Sequence, residues 1–393
     1  MLEVFLVFLR LGITSFGGPV AHLGYFRQEF VERRGWLDDR RYSDLVALCQ
    51  FLPGPASSQL GMALGKLRAG YGGAVAAWLG FTLPSAVLMV LFAYGATRWT
   101  GIASSGVVHG LKVVAVAVVA QAVLGMSRTL CPDRARAGIA MGAALLVLLV
   151  PGALAQVGAM VVGAVLGWWM VPAASSEPGG DAVPATRGRG IAVALLVIFM
   201  GLLLALPAAA ILWPGTIWPV AADFYRAGSL VFGGGHVVLP LLQTAVVPQG
   251  LMGNDVFLAG YGAVQAVPGP LFTLAAYLGA ALPVSVQFLG GWGSALVLLV
   301  AIFLPAFLLV MGALPFWDAL RHRRGVQRVM AGVNAAVVGV LLAALYDPVW
   351  TSAIHSRADF ALALASFGGL VLARWSPVVV VLLAAAAGAL MAW

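Results

Sequence analysis

Charge is what this sequence has least of. Only 9% of its 393 residues are Asp, Glu, Lys or Arg, against 62% apolar, and the mean hydropathy is +1.00. A soluble domain carries about a quarter charged residues, so a water-facing globule is excluded. Cysteine is scarce too: Cys49 and Cys131 offer neither a disulfide framework nor a metal cluster. Walker-type phosphate loops, His-Glu-x-x-His and metal-spaced Cys/His sets are all missing, which leaves ATP-driven pumping and metal chemistry unsupported. No cofactor, no metal and no catalytic residue is assigned, and the chain reads as a non-enzyme. Every Asp and Glu falls at a segment edge or in a loop, which disfavours a cation or proton carrier that needs a deep carboxylate. The first apolar run lacks a basic leader and an Ala-x-Ala site, so no cleavable signal peptide is read.

What is there is apolar length. Segments 71–96, 191–213 and 292–316 are each long enough to cross about 30 Å of hydrocarbon. Basic residues gather in loops 33–41, 128–136 and 321–328 and in a linker with Arg187 and Arg189, whereas loops 97–106, 213–222, 247–255 and 347–355 are poor in them. The positive-inside rule places the first set in the cytoplasm and the second outside. The net charge of +8 therefore reports orientation rather than a nucleic-acid partner.

The chain also says the same thing twice. Arg10-Leu11-Gly12-Ile13-Thr14-Ser15-Phe16-Gly17-Gly18 returns as Arg226-Ala227-Gly228-Ser229-Leu230-Val231-Phe232-Gly233-Gly234, and Gln50-Phe51-Leu52-Pro53-Gly54-Pro55 returns as Gln265-Ala266-Val267-Pro268-Gly269-Pro270. The offsets are 216 residues (Phe16 to Phe232) and 215 (Pro53 to Pro268). Gly35-Trp36-Leu37 answers Gly250-Leu251-Met252, Leu83-Pro84-Ser85 answers Leu304-Pro305-Ala306, and Gly110-Leu111-Lys112 answers Gly332-Val333-Asn334. Loop charge reverses between the halves at three places, so the fold expected is an all-α polytopic membrane protein with an inverted-topology repeat. The expected division is an N-terminal repeat at 1–172, a cytoplasmic linker at 173–190, a topology-inverting helix at 191–213 and a C-terminal repeat at 214–393. About nine full crossings and four broken or re-entrant segments, 2–30, 42–67, 224–246 and 256–282, are expected.

A helix in lipid must satisfy its own backbone, and Gly-Gly or Pro-Gly-Pro in mid-segment frees several groups that only protein or a water-filled cavity can partner. Helices are expected to restart after each break with Pro19, Pro55 or Pro270 at the first position, and the free N–H groups of a restarting turn attract anions. Four such starts converging near the midplane would cradle an oxyanion. The residues expected to bind it are Arg10, Ser15, Phe16, Gly17, Gly18, Gln50, Pro53, Gly54, Pro55, Ser57 and Ser58 in the first half. In the second they are Arg226, Phe232, Gly233, Gly234, His236, Gln265, Pro268, Gly269, Pro270 and Thr273. His22, able to titrate near neutrality, and Lys112 are secondary candidates. For single positions a structural reading competes: arginines snorkelling or Arg226 pairing with Asp223, His22 capping loose backbone, Lys112 reaching headgroups, and Gly and Pro merely permitting kinks. Gly138-x-x-x-Gly142 and Gly163-x-x-x-Gly167 predict close helix contacts, within one chain by default and in a homodimer as the alternative.

Phe16-Gly17-Gly18-Pro19, Pro53-Gly54-Pro55, Phe232-Gly233-Gly234-Gly235 and Pro268-Gly269-Pro270 together resemble the chromate ion transporter (CHR) family, long-chain ChrA type, over nearly the whole chain. The resemblance implies export of chromate across the bacterial inner membrane, conferring chromate resistance, with sulfate as the structurally similar competitor. The departure from strict repetition is Gly235-His236 where the first half has Pro19. Sulfate or another tetrahedral oxyanion as substrate, or an anion channel on the same scaffold, are the alternatives.

Overall fold

The computed structural model describes residues 1–16, 18–98, 106–150, 153–172, 189–232, 237–317 and 323–391, and among them there are helices and turns but no strand. Helix α1 (Leu2–Thr14) buries Val4, Val7, Phe8 and Leu11, a stripe at helical spacing, and stops at Ser15, whose ψ of 95° leaves the helical region. The chain restarts as α2 (Gly18–Arg27), passes a π turn (Gln28–Arg33) and continues as α3 (Asp39–Phe51), started by the Asp38 carboxylate accepting from Arg41 N–H. After a second break comes α4 (Ala56–Arg98), which is two legs: Ala69 and Gly70 leave helical geometry, Gly70 at φ +66°. There the chain reverses, since a Cβ on Gly65 would lie 2.3 Å from the Gly73 carbonyl and one on Gly73 2.2 Å from that of Gly65. Two glycines are what let the legs touch backbone to backbone.

The first half closes with α5 (Gly106–Leu130), α6 (Arg134–Leu149) and α7 (Ala153–Met170). Helix α8 (Arg189–Leu212) packs on the second half with only Ala192 buried, its Val197, Leu204 and Ile211 outward. An outer face that apolar belongs in lipid. The second half runs α9 (Ile217–Leu230), α10 (Val238–Val246), α11 (Asn254–Val264), a 3₁₀ turn (Leu271–Thr273), α12 (Leu274–Ala281) and α13 (Gly290–Ala313), then α14 (Arg324–Ala344), α15 (Arg357–Val371) and α16 (Pro377–Met391).

The repeat is visible in backbone detail. The turn after each first pair of helices uses a left-handed glycine, Gly35 at φ +59° and Gly250 at φ +70°. Each is followed by a residue bonding back, Trp36 N–H to Phe30 O and Leu251 N–H to Val246 O. The outer helices exchange partners: α6 and α7 of the first half pack on α14, while α15 and α16 of the second pack on α5. Small residues make both contacts, Gly163 and Gly167 against Gly332, and Gly388 against Gly106 and Gly110. The Gly163-x-x-x-Gly167 pair thus serves packing within the chain, while Gly138 and Gly142 meet nothing within 4 Å.

All four expected breaks are present. Two details differ. Pro55 and Pro270 precede the first helical position instead of filling it: Pro270 has ψ 134°, and the Pro55 carbonyl accepts from Gln59 N–H as an N-cap carbonyl does. Pro19 is the second residue of α2, because Gly18, at φ +76°, makes the turn. Among the described residues five helices are long and apolar enough to cross a membrane, against about nine crossings expected: Ala56–Gly95, Gly106–Leu130, Arg189–Leu212, Gly290–Phe316 and Arg324–Ala353. The others fall short in length, as α6, α7, α15 and α16 have 15 to 18 residues, about 22–27 Å at 1.5 Å per residue. The linker expected at 173–190 lies, up to residue 188, outside the described residues.

Candidate functional site

The four breaks meet, and they meet crosswise. Gly54 N–H donates to the Val231 carbonyl at 2.6 Å, and Gly269 N–H donates to the Ser15 carbonyl at 3.0 Å. By the offsets of the repeat Ser15 corresponds to Val231 and Gly54 to Gly269, so the two bonds are one contact made twice with the halves exchanged. Each Pro-Gly-Pro motif thereby partners the backbone freed where the other half's first helix ends, which is how a helix break is tolerated in a dry interior. Gly54 (φ +124°) and Gly269 (φ +94°) need glycine for their conformation. A Cβ on Gly54 would meet Gln59 Nε2 at 2.9 Å and Ala306 Cβ at 3.0 Å; one on Gly269 would meet Ser85 Oγ at 2.8 Å. Ala306 and Ser85 are themselves counterparts.

Around the first-half break the side chains are polar and buried. His22, 1% exposed, stands edge-on to Phe81 with centroids 5.1 Å apart. Its Nδ1 lies 3.3 Å from Ser57 Oγ and its Nε2 3.2 Å from the Ser15 carbonyl, so one ring ties the end of α1 to the first turn of α4. Gln59 Nε2 donates to the Pro53 carbonyl at 2.8 Å, bracing the first Pro-Gly-Pro, and Ser85 Oγ donates to the Thr82 carbonyl at 3.0 Å. Ser15 Oγ, Ser58 Oγ and Thr82 Oγ1 are buried and bond to no described residue. In the second half Thr273 Oγ1 donates to the Pro270 carbonyl at 2.9 Å, and half-buried Gln265 keeps an unbonded Nε2.

Several residues expected here lie elsewhere. Arg10 and Arg226 are both exposed, on the faces of α1 and α9 turned away from the packed stripes, and Arg226 pairs with Asp223 at 2.6 Å. An unpaired guanidinium among Val4, Phe8 and Leu11 would be prohibitively desolvated, so the helix turns it out. Gln50 is exposed as well. Lys112 bonds Asp255 of the other half at 2.8 Å, and three residues earlier on α5 His109 bonds Asp359, again of the other half, at 2.6 Å. Phe16, Phe232, Pro53 and Pro268 line the breaks with Gly18, Pro55 and Pro270; Gly17, Gly233, Gly234 and His236 lie outside the described residues. Thr82, Ser85 and Gln59 were not anticipated. Ser85 belonged to a repeated Leu-Pro-Ser/Ala motif, which was the available signal. Among the described residues no three His, Cys, Asp or Glu gather as metal ligands.

Away from the breaks, the loop end of the first half carries an ion-pair net: Arg34 and Arg33 on Glu29 at 2.6 and 3.2 Å, and Arg34 and Arg68 on Glu3 at 3.5 and 3.1 Å. Burial alone would raise the Glu29 carboxyl; the two guanidiniums outweigh it and hold it below the usual carboxylate range.

Two homologous all-α halves, apolar on the outside and locked through four broken helices, define a multi-pass membrane protein of transporter build. The chain belongs to the chromate transporter family, whose model matches twice, at residues 2–168 and 218–389, once per half. It is 29% identical over 364 residues to a chromate transport protein of Pseudomonas aeruginosa (88% of this chain, 80% of that one). It is 25% identical over 351 residues to a chromate transport protein of Cupriavidus metallidurans (87% and 81%). An uncharacterized transporter of Methanocaldococcus jannaschii is 23% identical over 345 residues (87% and 83%). No solved structure matches the chain.

Proposed function

We propose that the protein is a secondary transporter that exports chromate across the bacterial inner membrane. The observation that carries the reading is the crossed pair of backbone bonds, Gly54 to Val231 and Gly269 to Ser15, which gathers all four helix breaks at one place between the halves. Helix starts there offer N–H donors to an oxyanion, and Ser57 and Ser58 stand in the first turn of α4. Membership of the chromate transporter family and relatives named as chromate transport proteins supply the substrate. Loop charge orients the halves oppositely, with the basic loops in the cytoplasm.

Energetics favour export. With the interior negative, each negative charge leaving gains about 2.3 kcal/mol per 100 mV, and a dianion twice that. The buried acids among the described residues, Glu29 and Asp359, are engaged by arginines and by His109, away from the breaks. Membrane potential, or proton motive force through it, is therefore the proposed drive. Arg10 and Arg226 act in this reading as outer-surface anchors.

The test is chromate accumulation in inside-out vesicles under an imposed potential, with and without excess sulfate. Wild type should accumulate chromate and respond to the potential, and Arg10→Ala and Arg226→Ala should keep at least half of that rate. Flux indifferent to potential would sink the proposed drive, loss of flux in both arginine variants would return them to the site, and no chromate movement by wild type would end the reading.

A further inference from the structure

The packing of the two breaks is shared between the halves, but among the described residues the buried, unbonded hydroxyls at the breaks all belong to one of them. Ser15, His22, Ser57, Ser58, Thr82 and Ser85 are each at most 3% exposed. At the repeat's offsets their counterparts are Val231, Val238, Phe272, Thr273, Phe303 and Ala306. Five of the six polar side chains are thus matched by apolar ones, and the hydroxyl that survives, on Thr273, is spent on the Pro270 carbonyl. In the first half the opposite holds: Ser15 Oγ, Ser58 Oγ and Thr82 Oγ1 find no partner among the described residues.

These three hydroxyls belong to one neighbourhood. Ser58 lies in the first turn of α4, and Thr82 lies on its returning leg, each about three helical turns from the reversal at Ala69–Gly70, so the antiparallel legs bring them to one level. Ser15 ends α1, and His22 joins its carbonyl to Ser57 in that same first turn while packing on Phe81, next to Thr82. The first N–H groups of a 13-residue helical leg have no acceptor within the helix and carry its positive end. Burying unpaired hydroxyls is costly unless something bonds them. Hydroxyls can donate, the helix start donates, and neither buried carboxylate lies in this neighbourhood. The chemistry that completes such a set is an oxyanion with several acceptor atoms.

We propose that each chain holds a single tetrahedral-oxyanion site, built on the first half by the first turn of α4 and the hydroxyls of Ser15, Ser58 and Thr82. Among the described residues the second half supplies the backbone lock at Gly269 and no hydroxyl ligand. This rests on the oxyanion-transport reading and goes further, because four breaks meeting at one place would, with equivalent halves, draw ligand side chains from both.

The experiment is equilibrium binding of radiolabelled chromate to the purified full-length protein in detergent, with the thermal midpoint of each variant recorded alongside. Ser15→Ala and Ser58→Ala should each weaken binding roughly ten- to hundredfold at an unchanged midpoint, as loss of a hydrogen bond to a charged group does. Ser58→Thr, which installs the residue of the corresponding second-half position, should stay within about threefold of wild type, showing that the hydroxyl matters and not the size. Ser229→Ala removes a buried second-half hydroxyl already bonded to the Tyr225 carbonyl and should leave affinity unchanged. The wild-type stoichiometry should be one chromate per chain. Full affinity in both alanine variants, or two chromates per chain, overturns the proposal while leaving the transport reading intact. A wild type that binds no chromate overturns the transport reading and the proposal with it.

Discussion

In the first half Gly12 of α1 lies against the returning leg of α4, where a Cβ would come within 2.8 Å of both the Gly80 and Phe81 carbonyls. In the second half its counterpart Gly228 lies against α13, within 2.2 Å of the Ile302 carbonyl, and Ile302 is the counterpart of Phe81. Glycine contacts, turn glycines and crossed bonds agree from one half to the other, while the side chains lining the breaks do not. Backbone contacts admit one solution, because no side chain can be trimmed to relieve a clash with a carbonyl. A lining residue is bound only by its volume, and valine or phenylalanine fills space where serine or histidine offers hydrogen bonds.

The sharpest way to break that comparison is to enlarge the shared contacts. Gly12→Leu and Gly228→Leu should each fail to give a monodisperse protein by fluorescence-detected size exclusion, since overpacking against main chain costs more than about 3 kcal/mol. If one half tolerated leucine, the equivalence of the two packings would be lost. Next in size, Gly54→Ala and Gly269→Ala should each lower stability by about 1–3 kcal/mol, the cost of a side chain at positive φ. Thermal unfolding of both single variants and the double should show a non-additive pair, because each substitution strains the same interface between halves. The smallest effect belongs to a contact that only one half makes. Lys112 pairs with Asp255, but its counterpart Asn334 carries no charge. Asp255 is 69% exposed, so a double-mutant cycle with Lys112→Met and Asp255→Asn should read a coupling of at most about 1 kcal/mol, falling with salt. A coupling several times larger would make this pair a true clasp between the halves.

Much of the architecture could be read in the chain because local chemistry declares it. The two Pro-Gly-Pro motifs cannot continue a helix, and the structure breaks at each of them; it breaks again ahead of Gly18, which stands at φ +76°. The unmatched apolar run at 191–213 is the outlying α8, with lipid-type residues on nearly every side. The reversal at Ala69–Gly70 falls between the segments 42–67 and 71–96 read from the sequence, where Lys66, Arg68 and Gly70 interrupt the apolar run and Gly70 adopts φ +66°. The exchange of outer helices between halves was hidden: Gly332 reads alike whether it faces its own half or the other. At the site, the Pro-Gly-Pro glycines announced themselves by repetition. Thr82 and Gln59 did not, since Phe303 and Leu274 stand at the corresponding second-half positions and their importance comes from what folds around them. The two arginines were legible as a repeated charge, but not the outward faces of the helices that carry them or the pairing of Arg226 with Asp223.

The crossed lock between the halves is made by main-chain N–H and C=O groups alone. Such a contact is indifferent to side-chain identity and complementary to itself, as the interface of a two-fold dimer is. The joint therefore constrains only the two glycines that make it, and the residues lining it can differ from half to half without unfastening it.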